Sequence, residues 1–268
     1  MIFRLSSAFL LLGLCSGALA GWREDASDLR AGNFPPPPAS LVSHYVFGWS
    51  GIEAAEADFT LRRGDDGTWH GAARGGTKGV ARSLWKLDAS YDVNLAESNW
   101  VTLDSRQIER YSSYALDEKA VFLPGGVRSW RESTKEGAKR PKWRNFYVEG
   151  MRDIAGALLL ARSQPLNEGD VIPLAVFPGE WMYLVRVHIE RREKINWRGK
   201  ERAAIRASFD IDSIEKNYSL TPHKKFQRGT VWVSDDEIRL PLRIEVKVFV
   251  GYVFAELVSM KTSADADR

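Results

Sequence analysis

Apolar and polar residues alternate with a period of two along most of the chain beyond Ser40. In the segment from Trp181 to Glu190, the odd-numbered positions from Tyr183 to Ile189 are apolar, whereas Arg186 and His188 lie between them. Successive side chains of a β-strand point to opposite faces, so this pattern predicts a strand with one buried face and one solvated face.

Short segments rich in Gly, Asp and Asn separate the alternating segments, as is typical of β-hairpins. The predicted turns are Ser50-Gly51, Gly64 to Gly67, Asn196 to Lys200, Ser234 to Glu237 and the neighbourhood of Gly251. Strands joined by such short turns are antiparallel neighbours, so the pattern predicts an antiparallel sheet.

Two segments have helical spacing instead. Val80 to Leu87 predicts a short helix, and Asp153 to Arg162 predicts a better-defined one. In the second helix, Asp153 lies at the N-terminus, where its negative charge compensates the positive end of the helix dipole, and Pro165 prevents the helix from continuing. The apolar stripe expected to pack on the sheet is formed by Ile154, Leu158 and Ala161.

These elements predict a mainly β protein, built on a strongly curved antiparallel sheet or partly open barrel with one or two short packed helices. We expect a single domain over residues 41–261, a proline-rich lead-in over 21–40 and a polar tail over 262–268. Lys135 to Arg144 interrupts the alternation, and the chain could switch there between two sheets.

The first twenty residues have the pattern of a secretory signal peptide: a positive residue, Arg4, an apolar run, and Ala18-Leu19-Ala20 before a cleavage site after Ala20. The single cysteine, Cys15, lies within this segment, so the mature chain is expected to lack thiols and disulfides. A buried core helix and a lipid-acylated Cys15 are the alternatives, although Leu14 occupies the position where acylation favours a small residue.

The chain has 268 residues, of which 38 are Lys or Arg and 35 are Asp or Glu, giving a formal net charge of +3. That balance does not favour nucleic-acid binding, and no segment after the signal peptide is apolar enough to predict a membrane span. Local excess charge occurs in Lys135 to Arg144 and in Arg191 to Arg206. Either segment could bind anionic lipid headgroups or acidic envelope polysaccharide. The simpler interpretation is that both are solvated loops and edge strands, where Lys and Arg discourage aggregation between sheets.

No catalytic motif is complete. Ser83 to Lys86 matches the S-x-x-K element of serine acyl enzymes without its companion motifs, and Gly75 to Gly79 lacks the residue order of a phosphate-binding loop. The four histidines have no metal-binding spacing. We therefore predict no cofactor, no metal and no catalytic residue.

The order of segments resembles the exported bacterial family known as the domain of unknown function DUF3108. The resemblance is carried by Tyr45 to Ile52, Ala57 to Leu61, Asp153 to Leu158, Arg162 to Leu166, Gly169-Asp170, Gly229 to Asp236 and Arg239 to Glu245. It implies an antiparallel β domain exported to a Gram-negative periplasm, without established activity. No catalytic residue can be carried over from the family.

Export, strand alternation, ten tryptophans and local basic charge together favour a non-catalytic binding or chaperone-like module for an amphiphilic or anionic envelope molecule. Its partner would be an envelope lipid or polysaccharide, and the sequence leaves the oligomeric state open. A polysaccharide hydrolase using carboxylates assembled by the fold is the alternative. The candidate ligand-binding residues are Trp49, Trp181, Tyr183, Trp232, Arg140, Lys142 and Arg144.

Overall fold

In the computed structural model, which describes residues 21–224 and 228–263, fifteen strands form one continuous sheet. The strands are β1 (Ser40–Trp49), β2 (Ile52–Arg63), β3 (Thr68–Thr77), β4 (Leu87–Ala96), β5 (Val101–Tyr111), β6 (Ala115–Leu123), β7 (Gly126–Ser133), β8 (Trp143–Phe146), β9 (Val171–Val176), β10 (Tyr183–Trp197), β11 (Lys200–Ile214), β12 (Leu220–Pro222), β13 (Arg228–Ser234), β14 (Pro241–Lys247) and β15 (Tyr252–Thr262). The predicted signal peptide and Cys15 lie outside the described residues.

The sheet runs in the order β8-β7-β6-β5-β4-β3-β2-β1-β15-β14-β13-β11-β10-β9, with β12 added to β11. All of these strand pairs are antiparallel, which confirms the predicted fold class. The sheet is not closed into a barrel, because its edge strands β8 and β9 are not paired with each other.

The predicted turns are confirmed, and two of them have the backbone geometry that joins twisted strands tightly. Ser50 and Gly51 have φ values of 46° and 86°, and Arg198 and Gly199 have values of 49° and 77°. Two successive residues with positive φ are typical of the type I′ turn, whose twist matches that of the flanking strands.

The expectation that the chain switches between two sheets at residues 135–144 is wrong. After the loop, β8 pairs back onto β7, and Trp143 lies directly opposite Trp130. Both are large aromatic residues, and such a cross-strand pair stabilises continued pairing in the same sheet.

Curvature brings the two ends of the sheet together without backbone pairing between them. Phe122 of β6 and Val127 of β7 share a core with Phe177, just after β9, and with Leu184 of β10. Leu184 is fully buried on the face of β10 that the alternation predicts to be solvated. That prediction is wrong because the opposite end of the sheet covers this face.

Within the described residues, three α-helices accompany the sheet, whereas one or two were expected: α1 (Gly21–Asp28), α2 (Gly79–Leu84) and α3 (Ile154–Ser163). Asp153 caps α3 by accepting hydrogen bonds from the backbone N–H groups of Ala155 (3.0 Å) and Gly156 (2.9 Å). The helix stops before the extended Gln164 that precedes Pro165, as predicted.

The apolar stripe predicted for α3 is on the wrong face. Ile154 and Leu158 are 50% and 51% exposed, whereas Leu159 and Leu160 pack in the core against Trp69. The helix carries apolar residues almost all round, so periodicity could not select the buried side. In α2, Val80 and Leu84 are likewise exposed, because this six-residue helix contributes no buried residue.

The lead-in over 21–40 packs against the domain. Trp22 and Ala26 of α1 are buried in the core shared by the two ends of the sheet. Farther along, the ring of Phe34 lies against two arginine side chains, with centroid distances of 4.9 Å to Arg162 and 3.5 Å to Arg239. The segment therefore contributes to the fold.

Candidate functional site

One face of the curved sheet carries a continuous series of apolar side chains, and we call it the inner face. Register places the following residues directly opposite one another on successive strands: Ile189, Ala207, Val231, Ile244, Ala255, Phe47 and Ala55. Helix α3 packs on part of this face, where Leu160 shares a core with Trp69 of β3 and Leu95 of β4.

Beyond α3 the inner face is only half-buried. Val187, Phe209 and Val246 are partly accessible although all three are apolar and point to this face. On β2 to β4 the corresponding positions are small, being occupied by Ala57, Ala73, Gly75 and Ala89. Small side chains project little from a sheet, so these positions do not themselves fill the concave side of the face.

An aromatic group lies beside these small residues. Phe59 makes an edge-to-face contact with Tyr45 at 5.4 Å and a tilted contact with Phe47 at 6.5 Å. Phe59 is 37% exposed, so part of its ring remains available for contact. Burial raises the pKa of Tyr45, whose hydroxyl donates to the carbonyl of Pro241 at 2.7 Å.

Toward β8 the inner face becomes polar. Tyr91, Gln107, Glu118 and Arg131 lie opposite one another on β4, β5, β6 and β7, and we call this series the polar row. Gln107 Nε2 donates to Glu109 Oε1 at 2.6 Å, so Glu109 of β5 belongs to the same surface. The inner face thus joins an apolar section to a charged one.

Arg131 lies between two carboxylates. Its Nε is 2.9 Å from Glu118 Oε1, and its Nη1 contacts Glu180, from the segment between β9 and β10. Burial raises the pKa of Glu118, while the charge of Arg131 opposes that shift. These two acids are therefore engaged by an arginine that links the two ends of the sheet. A pair of catalytic acids would instead face each other across space for a substrate.

Three buried polar atoms near the polar row have no hydrogen-bond partner among the described residues: Tyr91 OH, Ser129 Oγ and Arg144 Nη2. Ser129 is 1% exposed and lies directly opposite Arg144, in the series of positions next to the polar row. Buried polar groups are nearly always hydrogen-bonded, because leaving one unpaired costs the free energy of its desolvation. Each of these atoms therefore has unused hydrogen-bonding capacity, and a polar group could pair with it only if neighbouring side chains moved aside.

The structure separates the basic candidates. Arg144 lies on the inner face, with its guanidinium 5.5 Å from the centroid of the Phe146 ring. Its positive charge acts to lower the pKa of Glu118. Arg140 and Lys142 lie in the exposed loop before β8. Only Arg144 adjoins the polar row.

The aromatic candidates are also dispersed. Tyr183 is on the inner face beside Val185, and Trp181, just before it, is 55% exposed. Trp49 lies at the end of β1 and donates through Nε1 to the Val250 carbonyl at 2.8 Å. Trp232 points to the opposite face of β13 from Val231, and its Nε1 donates to Glu193 at 2.8 Å.

Sequence reasoning missed Tyr91, Glu118, Ser129 and Arg131. Strands β4 to β7 carry polar residues on both faces, so alternation did not separate inner from outer positions. A search for Arg and Glu at positions of equal parity on predicted neighbouring strands would have indicated the polar row.

Most of the basic stretch 191–206 is neutralised by neighbouring acids. Its ion pairs are Arg191 with Glu193, Arg192 with Asp235, Lys194 with Glu201, Arg198 with Glu256 and Arg206 with Glu190. This pairing supports the structural interpretation of that stretch.

Among residues 21–224 and 228–263, no group of three His, Asp or Glu side chains is arranged to hold a metal ion. No helix in the same part of the chain has the length and hydropathy of a membrane span.

The model of the family described as "Protein of unknown function (DUF3108)" matches residues 43–258. The chain belongs to the DUF3108 family. No curated protein matches it.

Solved structures show what this DUF3108 chain is similar to. A beta-barrel-like protein of the domain of unknown function DUF1849 from Brucella abortus matches with a TM-score of 0.53 at 8% identity, covering 84% of this chain and 98% of the other. A protein with a YmcC-like fold from Bacteroides fragilis matches with a TM-score of 0.38 at 9% identity, covering 87% and 100%. LprF from Mycobacterium bovis has a TM-score of 0.26 at 12% identity, covering 89% and 90%. At such identities the similarity to the Brucella protein concerns the fold alone.

Proposed function

We propose that this DUF3108 protein is a non-catalytic module, exported to the periplasm, that binds an amphiphilic envelope molecule with an anionic headgroup on its inner face. The observation that carries the proposal is the continuity of two surfaces. A half-buried apolar section runs into a polar section where Arg144, Ser129 and Tyr91 each have a buried polar atom without a hydrogen-bond partner in the described part of the chain.

The apolar section suits an acyl chain. Its side chains are aliphatic or aromatic, and covering them removes apolar surface from water, which contributes about 25 cal/mol per Å². The small residues of β2 to β4 provide the space, and Phe59 offers a partly exposed ring at its side.

The polar section suits an anionic headgroup. Arg131 is already neutralised by Glu118 and Glu180, whereas Arg144 Nη2 retains a donor. A carboxylate or phosphate oxygen beside Arg144 and Ser129 would gain a charge-assisted hydrogen bond, which is stronger than a neutral one. A molecule with both parts therefore matches this face better than a purely apolar or purely charged one.

A matched pair of arginine variants tests the proposal. Dansyl-labelled undecanoic acid serves as the anionic amphiphile and dansyl-labelled undecanol as its neutral counterpart, with affinity measured by fluorescence. Arg144→Gln should weaken binding of the acid about 30-fold, the effect of losing a charged hydrogen bond worth about 2 kcal/mol. Arg140→Gln, in the exposed loop, should leave it unchanged, and the alcohol should respond weakly to both substitutions.

Equal affinities of the two variants for the acid would contradict the assignment of Arg144. Absence of binding of both probes to the unmodified protein would contradict the proposed function itself. Native mass spectrometry of the purified protein gives an independent measurement, because a retained amphiphile would add a discrete mass.

A further inference from the structure

The outer side of β6 to β8 carries cations that form no ion pair with a described residue, beside exposed apolar side chains. Lys119 of β6, Arg128 of β7 and Trp143 of β8 point away from the inner face, because they alternate with Ala120, Ser129 and Arg144. The loop between β7 and β8, at one end of these strands, adds Lys135, Lys139, Arg140 and Lys142, all exposed. We call Lys119, Arg128, Lys135, Lys139, Arg140, Lys142, Trp130 and Trp143 the outer patch.

The cations of the outer patch differ from those of residues 191–206 in their partners. None of the six forms an ion pair with a described residue. The nearby acids are Glu132 and Glu136 of the same segment and Asp117 of β6, which is paired with Arg106 and whose pKa the charge of Lys119 also lowers. Three of the cations lie over aromatic rings: Lys119 over Trp130 at 4.8 Å, Arg128 over Trp143 at 4.8 Å, and Lys135 over Tyr114 at 5.6 Å. Among the described residues, basic side chains therefore outnumber acidic ones in the outer patch.

Apolar side chains are exposed around these cations. Val121 and Leu123 of β6 are 39% and 54% exposed, Trp143 is 45% exposed, and Tyr147, just after β8, is 63% exposed. Val121 lies directly opposite Arg128, so the apolar and basic side chains share one surface. This combination is typical of surfaces that rest in the headgroup region of a bilayer, where cations meet lipid phosphates and aromatic rings lie at the boundary.

We propose that the outer patch docks the protein onto a bilayer containing anionic phospholipid. The proposal does not depend on a ligand at the inner face, because the strand residues of the outer patch lie on the opposite side of the same strands. An acidic polysaccharide would match the cations and could stack on Trp143 and Tyr147, but it would leave the aliphatic Val121 and Leu123 in water. A bilayer matches both.

The test compares two triple variants that remove the same charge. The outer-patch variant changes Lys139, Arg140 and Lys142 to Gln, and the control variant changes Lys86, Lys200 and Lys216, three exposed lysines elsewhere, to Gln. Co-sedimentation with phosphatidylcholine vesicles, with and without phosphatidylglycerol, measures the partition coefficient. Binding should require phosphatidylglycerol, fall on the order of 100-fold in the outer-patch variant and change little in the control.

Leu123→Ser distinguishes a bilayer from an acidic polysaccharide, because an aliphatic side chain enters a bilayer but does not stack on sugar rings. It should weaken vesicle binding while leaving any binding to polygalacturonate unchanged. Equal vesicle binding by the two triple variants would overturn the proposal, as would binding to polygalacturonate without binding to vesicles. Because every substituted residue is exposed, circular dichroism should show the same fold throughout, and the dansyl-acid affinity of the inner face should be retained.

Discussion

Thr102 and Asp153 bind each other reciprocally in the core. The Thr102 hydroxyl donates to Asp153 Oδ1 at 2.6 Å, and the backbone N–H of Asp153 donates to the same hydroxyl at 3.1 Å. Thr102 is 0% exposed and Asp153 is 2% exposed. This pair anchors the first turn of α3 to the beginning of β5 and so positions the helix on the inner face.

The first prediction concerns pH. Burial raises the pKa of Asp153 from 3.8 to about 6. Between these values the folded state binds more protons than the unfolded state, so the free energy of unfolding should fall as pH rises through this window, by about 3 kcal/mol in total. Urea unfolding at several pH values across the raised pKa of about 6 measures how the free energy of unfolding changes with pH.

Asp153→Asn provides the control for this slope. The amide oxygen still accepts from the helix N-terminus but does not titrate, so this contribution should disappear from the variant. A slope that is the same in both proteins would assign the pH dependence to other groups. Thr102→Val removes the hydroxyl donor and should extend the decline to higher pH.

The second prediction concerns the attachment of the lead-in. Arg239 donates to the carbonyls of Arg162 (3.1 Å), Gln164 (2.6 Å) and Pro165 (3.2 Å), with its guanidinium over the ring of Phe34. Arg239→Met should lower the free energy of unfolding by about 3 kcal/mol, because buried carbonyls lose a charged donor. Phe34→Leu should cost about 1 kcal/mol through the lost cation–π contact.

Arg202→Met is the matched substitution for Arg239→Met. Arg202 also lies over an aromatic ring, that of Trp197 at 5.7 Å, but it is exposed. Chemical denaturation should therefore find Arg202→Met close to the unmodified protein. If both methionine variants lose the same stability, the buried carbonyl contacts are not the cause.

The third prediction concerns the ion pairs that link the two ends of the sheet. Arg131→Met leaves Glu118 buried without its cation and should destabilise the fold by about 2 kcal/mol. Adding Glu118→Gln removes the buried charge and should restore part of that loss. A double-mutant cycle from thermal or urea unfolding measures the coupling, and strictly additive effects would show that the two residues do not interact.

The fourth prediction concerns the apolar section of the inner face. Phe59→Ser should weaken binding of the neutral dye Nile red about tenfold, because a partly exposed aromatic wall is lost. Phe249→Ser changes the same residue type in an exposed turn and should have no effect. Equal dye affinities for the two variants, measured by fluorescence titration, would show that the dye binds elsewhere.

Local chemistry accounts for the features that were predictable from sequence. The hairpin turns at Ser50-Gly51 and Arg198-Gly199 each contain a glycine, which adopts positive φ without steric cost. Asp153 and Pro165 mark the ends of α3 through capping and steric restriction. The resemblance to DUF3108 likewise depends on ordered short segments, and the family match over residues 43–258 confirms it.

The features that sequence reasoning missed depend on contacts between residues far apart in the chain. Leu184 is buried because the end of the sheet formed by β6 and β7 reaches β10, and the exposed side of α3 is decided by what surrounds it. Neither contact has a signature in the local spacing of apolar residues.

The sequence by itself determined an antiparallel β protein, the places where its strands turn, and the ends of its principal helix, because each depends on a few neighbouring residues. Only the tertiary structure decided which face of each strand became the inner face. It also decided that Arg144 lies on that face, whereas Arg140 and Lys142 lie in the exposed loop before β8. Alternation states that two faces differ, but the curvature of the whole sheet decides which of them is enclosed.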